Sequence, residues 1–155
     1  MRMAVKALTV ASAAIWIFFV AFSVTLAYSA SAIRVEVSEV RLRLDAERTM
    51  LFLEFQILIN NSGLYDLSNM EIKITLYDWC DSLLAENVTL AETIPRGSKS
   101  LLTPSLVANL SDRFESIVGS NNPLILRYEM KMNYAGVLPV RIYGSTEIML
   151  QGGEA

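Results

Sequence analysis

The 155-residue sequence contains no histidine and a single cysteine, Cys80. Histidine-based catalytic triads, thiolate–imidazole pairs and zinc sites built from histidine and cysteine are therefore excluded. The sequence also lacks the glycine-rich loops that hold phosphate groups. Since carboxylates are the only catalytic groups that remain, we expect a protein that is not an enzyme and that has no cofactor and no metal site.

Charge is missing from one long stretch and unbalanced in the rest. Residues 7–33 contain no charged side chain, and all 16 acidic residues follow them. Only 11 of the 13 basic residues follow, because Arg2 and Lys6 precede the stretch. A negatively charged domain without clustered Lys and Arg is not expected to bind nucleic acid.

The charge-free stretch predicts a membrane-spanning helix, because about 20 apolar residues in a helix cross the hydrocarbon core of a bilayer. Its expected partner is thus the lipid bilayer, through residues 7–33. The basic residues before it place the N-terminus in the cytoplasm and the following domain outside the cell membrane by the positive-inside rule. We divide the chain into an N-terminal anchor, a second domain and a C-terminal tail: 1–33, 34–150 and 151–155.

Two other interpretations of this segment stay open. Ala30-Ser31-Ala32 has the small-x-small pattern of a signal peptidase site, although the apolar run is longer than in a typical signal. Lys6-Ala7 resembles the end of an archaeal pilin leader. Under that interpretation the chain would be a filament or pilus-type subunit with its apolar helix in a fibre core. N-terminal sequencing separates the three: Met1 indicates the anchor, Ala7 or Leu8 the filament subunit, and Ile33 a secreted domain.

Beyond Arg34 apolar and polar residues alternate, which is typical of strands with one buried and one solvated face. Seven such runs separated by turn residues predict a mainly β domain, an antiparallel β-sandwich of about seven strands or a closed barrel. In the three clearest runs, we expect the apolar residues to point inward. They are Leu51, Leu53, Phe55, Ile57 and Ile59 in the first run, Met70, Ile72, Ile74 and Leu76 in the second, and Leu124, Leu126, Tyr128, Met130 and Met132 in the third. The strands are predicted at Val35–Leu44, Thr49–Asn60, Ser68–Asp78, Leu83–Ile94, Lys99–Val107, Pro123–Tyr134 and Leu138–Leu150.

One short segment has helical spacing instead. Leu110, Phe114, Ile117 and Val118 recur at the intervals of an amphipathic helix. Ser111 or Asp112 is expected to cap its start, and Gly119 to end it. We expect this helix to cross one end of the sheets, and Tyr134–Val137 to close a hairpin.

The order of strands and turns resembles the group 2 late-embryogenesis-abundant domain, also called the water-stress and hypersensitive-response (WHy) domain, in an archaeal-like, membrane-anchored form. The likeness covers Val35 to Leu150 and rests on the turn Ile59-Asn60-Asn61-Ser62-Gly63 and the step Ile94-Pro95-Arg96-Gly97. Asn61 stands where the family's Asn-Pro-Asn turn has Pro, and Ser62 replaces its second Asn. The resemblance implies a non-enzymatic domain with an immunoglobulin-like or fibronectin type III-like fold.

Few residues qualify as candidate sites. Asp78 and Asp81 bracket Trp79-Cys80 at a predicted turn, and two acids so spaced are expected to be a solvated turn rather than a calcium site. Cys80 is expected to be a buried apolar residue, with an interchain disulfide as the alternative. Glu36 and Glu39 share a strand with Arg41 and Arg43, which predicts cross-strand ion pairs.

Three N-x-[ST] sequons begin at Asn60, Asn87 and Asn109. The 8 asparagines of the chain would give about one sequon by chance, so three is a mild excess. N-glycosylation and the ordinary preference of Asn for turns explain them equally well.

The sequence thus favours a single-pass anchor that presents a β-sandwich and works by contact, in the cell envelope or as an accessory subunit of a membrane complex. Its exposed edge strands could receive a strand from another envelope or membrane protein or from a second copy of itself.

Overall fold

The structure, a computed structural model, describes residues 2–119 and 122–150, with side chains from Ser12 onward. The predicted tail, residues 151–155, lies outside the described residues. Eight strands and two helices make up the described part of the chain. They are α1 Arg2–Ala30, β1 Ile33–Asp45, β2 Met50–Asn61, β3 Leu67–Tyr77, β4 Leu83–Ala91, β5 Ser98–Leu102, β6 Ser105–Asn109, α2 Phe114–Val118, β7 Leu124–Tyr134 and β8 Leu138–Ile148.

Helix α1 forms from the charge-free stretch and projects from the β-domain. From Ser12 to Ala30 it is long and apolar enough to cross a membrane, and almost all of its side chains in this window are exposed. Exposed rings such as Trp16 and Phe18 are unlike the core helix of a soluble protein, which keeps a polar face toward water. Only the last turns, with Leu26, Ser29 and Ala30, pack against the β-domain.

The strands form two antiparallel sheets. One has the order β1-β2-β5, with β6 also paired to β2, and the other has the order β4-β3-β7-β8. Their inner faces share one hydrophobic core, which makes the domain a β-sandwich. The alternation predicted the buried faces correctly, except that Tyr128 is only partly buried. Thr75, expected on a solvated face, is buried because its strand is central and longer side chains from both neighbouring strands flank it.

The predicted strand Lys99–Val107 is two strands, and this raises the count from seven to eight. Pro104 interrupts it because proline has no N–H to donate to the ladder. The chain keeps its direction across the break, so β5 pairs with one half of β2 and β6 with the other. The carbonyl oxygen of Pro104 accepts a hydrogen bond from the backbone N–H of Phe55 at 3.0 Å, which holds the break against β2.

The short helix is confirmed, but its start is not where the sequence predicted it. Helix α2 begins after Arg113 rather than after Ser111 or Asp112. The N–H of Ser111 is instead bonded to the side chain of Asn109 at 3.0 Å, which places Ser111 in the preceding turn. Gly119 ends the helix as predicted, with its N–H donating to the carbonyl oxygen of Glu115 at 2.9 Å.

The connections of the sandwich divide between two ends. Residues 62–66, 92–97 and 135–137 lie where α1 joins the domain, and we call this the helix-proximal end. Residues 46–49, 78–82 and 110–119 lie at the opposite end, which we call the distal end. The predicted hairpin joins β7 to β8 at the helix-proximal end, and Ala135 and Gly136 both have positive φ there.

Candidate functional site

Strand β1 is an edge of its sheet whose apolar side is incompletely covered. Among the described residues it pairs with β2 alone. Its inward-facing residues Val37, Val40 and Leu42 lie opposite buried residues of β2, yet they remain 36% to 40% exposed. A bulge at Ser38 separates the two halves of the strand, and the Ser38 hydroxyl donates to the carbonyl oxygen of Gln56 at 3.1 Å. Exposed edges and apolar patches are common features of binding surfaces.

A cleft of about 270 Å³ opens beside this strand, between the two sheets. Val37 and Val40 form one rim, and Ser145 and Thr146 of β8 form the other. The floor is apolar and comes from both sheets: Phe55, Ile57, Ile74, Leu126 and Tyr128. Strands β1 and β8 are the edges of the two sheets on this side, so the cleft lies where the sandwich is least closed.

The position of Tyr128 in the floor of the cleft depends on a glycine of β8. Gly144 is directly opposite Tyr128 in the β7–β8 ladder, and the Tyr128 ring lies across it. A Cβ at position 144 would overlap that ring, so a side chain there would displace Tyr128. The small residue in β8 is thus needed for the shape of the cleft.

The outer face of β1 is charged, as the sequence indicated, but its ion pair is not across strands. Arg41 donates from Nε and Nη2 to the two carboxylate oxygens of Glu39 in the same strand, at 3.0 and 3.1 Å. This hydrogen bonding, followed by the charge of Glu39, raises the pKa of Arg41 above its usual value. Arg43 instead lies over the ring of Phe52, 4.9 Å from its centre.

The loop between β3 and β4 differs from the predicted solvated turn. Asp78 is 5% exposed, and its Oδ1 accepts hydrogen bonds from the backbone N–H groups of Cys80 and Ser82 at 2.9 and 2.8 Å. Its Oδ2 accepts a hydrogen bond from Nη1 of Arg113 at 2.8 Å. Asp81 is the exposed partner of Arg127, also at 2.8 Å. The two acids have separate roles, and the solvated-turn prediction is wrong for Asp78.

Cys80 is exposed in this loop, so the prediction of a buried cysteine is wrong. The hydrogen bonds to Asp78 fold the loop back and turn residues 79–80 toward solvent. In the part of the chain with described side chains, no three His, Cys, Asp or Glu residues are grouped as metal ligands.

We expect Asp78→Ala to lower the free energy of unfolding by about 2 kcal/mol, because two partly buried backbone N–H groups and Arg113 lose a charged acceptor. Asp81→Ala is the matched control and should change it by less than about 0.5 kcal/mol, since exposed ion pairs contribute little. Urea unfolding of the full chain in mild detergent, followed by circular dichroism, measures both. Equal effects of the two substitutions would contradict the assignment of Asp78.

The sequon asparagines lie in different environments and do not form one site. Asn87 and Asn109 are exposed, whereas Asn60 is partly buried and its Oδ1 accepts a bond from the Ser62 hydroxyl at 3.1 Å. Asn87 is in the middle of β4, and its side chain donates to the carbonyl oxygen of Ser105 at 2.6 Å.

At the helix-proximal end, one buried asparagine joins two loops. Asn61 is 0% exposed, and its Nδ2 donates to the carbonyl oxygens of Tyr65, Ile94 and Pro95 at 2.9, 3.1 and 3.2 Å. The backbone carbonyl oxygen of Asn61 accepts a hydrogen bond from the backbone N–H of Gly97 at 2.7 Å. The two motifs that carry the family resemblance in the sequence are therefore in direct contact.

A second set of hydrogen bonds attaches α1 to this end of the sandwich. The hydroxyl groups of Ser29 and Tyr134 are hydrogen-bonded to each other, and both accept from the N–H of Leu64, at 2.6 and 3.0 Å respectively. A Cβ at Gly63 would collide with the Tyr134 hydroxyl and with the carbonyl oxygen of Ser29, so glycine allows this close approach. Sequence reasoning missed this junction, because Ser29 is one of four serines in the charge-free stretch and nothing in the sequence distinguishes it from the others.

No family model and no curated protein matches the chain. Solved structures of similar fold do match it. A candidate ApaA protein from Bordetella pertussis has a TM-score of 0.54 at 11% identity and covers 76% of this chain and 93% of its own. A protein from Archaeoglobus fulgidus has a TM-score of 0.53 at 12% identity, with coverages of 76% and 98%.

A candidate late-embryogenesis-abundant protein, solved in solution, is also similar. It has a TM-score of 0.52 at 9% identity and covers 84% of this chain and 83% of its own. At such identities the likeness concerns the fold alone. The resemblance noted in the sequence is confirmed at that level.

Proposed function

We propose that this protein is a non-enzymatic, single-pass membrane protein whose extracytoplasmic β-sandwich binds another envelope or membrane protein through the edge strand β1. The observation that carries the proposal is the open apolar edge, where Val37, Val40 and Leu42 are exposed beside the cleft. A binding module of this kind acts by contact and needs neither a cofactor nor a metal. Strand addition at such an edge combines backbone hydrogen bonds with apolar side-chain contacts.

The junction between α1 and the sandwich supports an anchor that stays attached. Cleavage after Ala32 would remove Leu26, Ser29 and Ala30, and with them part of the cover of the core. It would also leave the Leu64 N–H and the Tyr134 hydroxyl without their Ser29 partner. Burial of about 20 apolar residues in lipid would then hold the domain at the membrane. Arg2 and Lys6 favour a cytoplasmic N-terminus.

A finer family assignment is part of the proposal. The contact of Asn61 with the Ile94-Pro95 step supports a WHy-type domain. Two antiparallel sheets around one core support an immunoglobulin-like or fibronectin type III-like sandwich. The exposure of Asn87 and Asn109 is compatible with glycosylation in an organism that has the machinery.

A charged substitution on strand β1 tests whether the partner binds through this edge. We expect Val40→Lys to abolish recovery of the partner, because a lysine at this position brings a charge into the apolar contact. Leu90→Lys is the matched control, since Leu90 is an exposed apolar residue of the edge strand β4 in the other sheet. Proteins that co-elute from mild detergent after cross-linking in intact membranes are compared quantitatively between the variants.

Partners that are lost with Val40→Lys and retained with Leu90→Lys support the proposal. Loss with both variants, or with neither, contradicts binding through β1. Recovery of a differently tagged copy of the chain would identify self-association, and recovery of another membrane protein would identify an accessory subunit.

A further inference from the structure

The helix-proximal end of the sandwich exposes two apolar side chains beside α1. Leu64, in the connection between β2 and β3, is 55% exposed, and Val137, in the hairpin between β7 and β8, is 72% exposed. The two connections touch each other, since the N–H of Ala135 donates to the carbonyl oxygen of Asp66 at 3.2 Å. The connections that carry the two exposed apolar side chains therefore lie side by side at this end, and we call them the helix-proximal surface.

This surface is attached directly to the end of the apolar helix. The N–H of Leu64 donates to the hydroxyl of Ser29, which lies in the last turn of α1, at 2.6 Å. Val137 follows the strand that carries Tyr134, and the Tyr134 hydroxyl bonds to the same N–H of Leu64 at 3.0 Å. Both loops are thus held at the level where the helix leaves its candidate membrane-spanning window, Ser12–Ala30.

The candidate membrane-spanning window sets the depth of that level. Its 19 residues, Ser12–Ala30, extend about 29 Å, which matches a hydrocarbon core about 30 Å thick. When this window spans the core, the last turn of α1 stands at the boundary between acyl chains and headgroups. Apolar side chains at this boundary can enter the lipid without unfolding the domain that carries them.

We infer that Leu64 and Val137 contact the same bilayer that α1 spans, so that the sandwich stands on the membrane surface by its helix-proximal end. This inference rests on the proposed membrane anchor and adds a second, lipid-facing surface to it. Lipid is the occupant that the structure favours, because the hydrogen bonds to Ser29 and Tyr134 fix this surface next to the spanning helix. The distal end, with Cys80, then points away from the bilayer.

Site-specific fluorescence quenching tests this orientation. Full-length Cys80→Ser protein is given one cysteine by Leu64→Cys, Val137→Cys, Leu83→Cys or Phe18→Cys, labelled with a nitrobenzoxadiazole dye, and placed in phosphatidylcholine nanodiscs. Leu83 is an exposed apolar residue at the distal start of β4. The unsubstituted chain, labelled at Cys80, serves as the distal control. Nanodiscs that contain lipid with a nitroxide near the headgroup quench a dye at the interface. We expect at least a twofold loss of fluorescence at positions 64 and 137 and almost none at positions 80 and 83.

The outcomes separate this inference from the proposed anchor. A dye at position 18 should be quenched by a nitroxide placed deep in the acyl chains. If it is, but the dyes at positions 64 and 137 are not quenched by the headgroup nitroxide, the lipid contact is overturned and the proposed anchor is retained. The absence of quenching at position 18 overturns the anchor itself. Equal quenching at positions 64, 80, 83 and 137 shows a domain without the inferred orientation and overturns the inference. If the dyes at positions 64 and 137 are protected from quenching by aqueous iodide and are also not quenched by the nitroxide lipid, a second copy of the chain covers them. This result also overturns the inference.

Discussion

Ile57→Ala and Ile74→Ala should each lower the free energy of unfolding by about 2–5 kcal/mol, because each removes buried methyl groups and leaves a cavity that the sheets cannot close. The two side chains are 2% and 1% exposed and come from opposite sheets. Both also line the floor of the cleft beside β1, so a truncation there enlarges a space that is already present. Urea unfolding of the full chain in mild detergent measures the loss.

Glu54→Ala is the control for this pair. Glu54 lies in the same strand as Ile57 but on the outer face and is exposed, so its removal should change the free energy of unfolding by less than about 0.5 kcal/mol. An effect of Glu54→Ala as large as that of the isoleucine substitutions would mean that β2 is shifted by one residue, since such a shift exchanges the two faces of a strand.

Asn61→Ala should be the most damaging change of a polar residue at the helix-proximal end, with a loss of about 2–4 kcal/mol. The side-chain amide is fully buried, and its removal takes a hydrogen-bond donor from three backbone carbonyl groups. Asn61→Asp tests the same bonds at nearly constant volume, because it places a carboxylate against carbonyl oxygens. It should be at least as damaging, as judged by the urea midpoint.

Asn60→Ala is the matched control for Asn61. Asn60 is the adjacent residue of β2 with its side chain on the opposite face, where it accepts one bond from Ser62. A change within about 0.5 kcal/mol is expected. If Asn61→Ala were as mild as Asn60→Ala, the buried amide would not be what holds the two loops together.

Most strands of this fold are predictable, because each strand is marked by its own local alternation of apolar and polar residues. Leu51 to Ile59 alternate with polar residues over a whole strand, and a period of two has one interpretation when one face must be buried. The break at Pro104 could also have been predicted, because a proline within an apparent strand removes a ladder donor. The alternation of apolar and polar residues continues on both sides of Pro104, at Leu102 and Leu106, so the segment looked like one strand.

The contacts that define the two ends are not local. Ser29 and Tyr134 are 105 residues apart in sequence, and Asp78 and Arg113 are 35 apart. Spacing along the chain contains no information on such pairs, so a buried serine in an apolar helix and a buried aspartate in a turn both looked ordinary. The exposure of Cys80 follows from the bonds of Asp78 and was missed for the same reason.

The path of the chain through the sandwich has a mechanical consequence. Because the chain keeps its direction across Pro104, β5 and β6 count as one passage, and the polypeptide traverses the sandwich seven times, an odd number. Strand β8 therefore ends at the distal end, opposite to α1. With α1 as the proposed anchor, a force that pulls Ile148 away from the membrane would act parallel to the strands. It would shear the ladders of β1 with β2 and of β7 with β8, breaking many hydrogen bonds together rather than one after another, as in peeling.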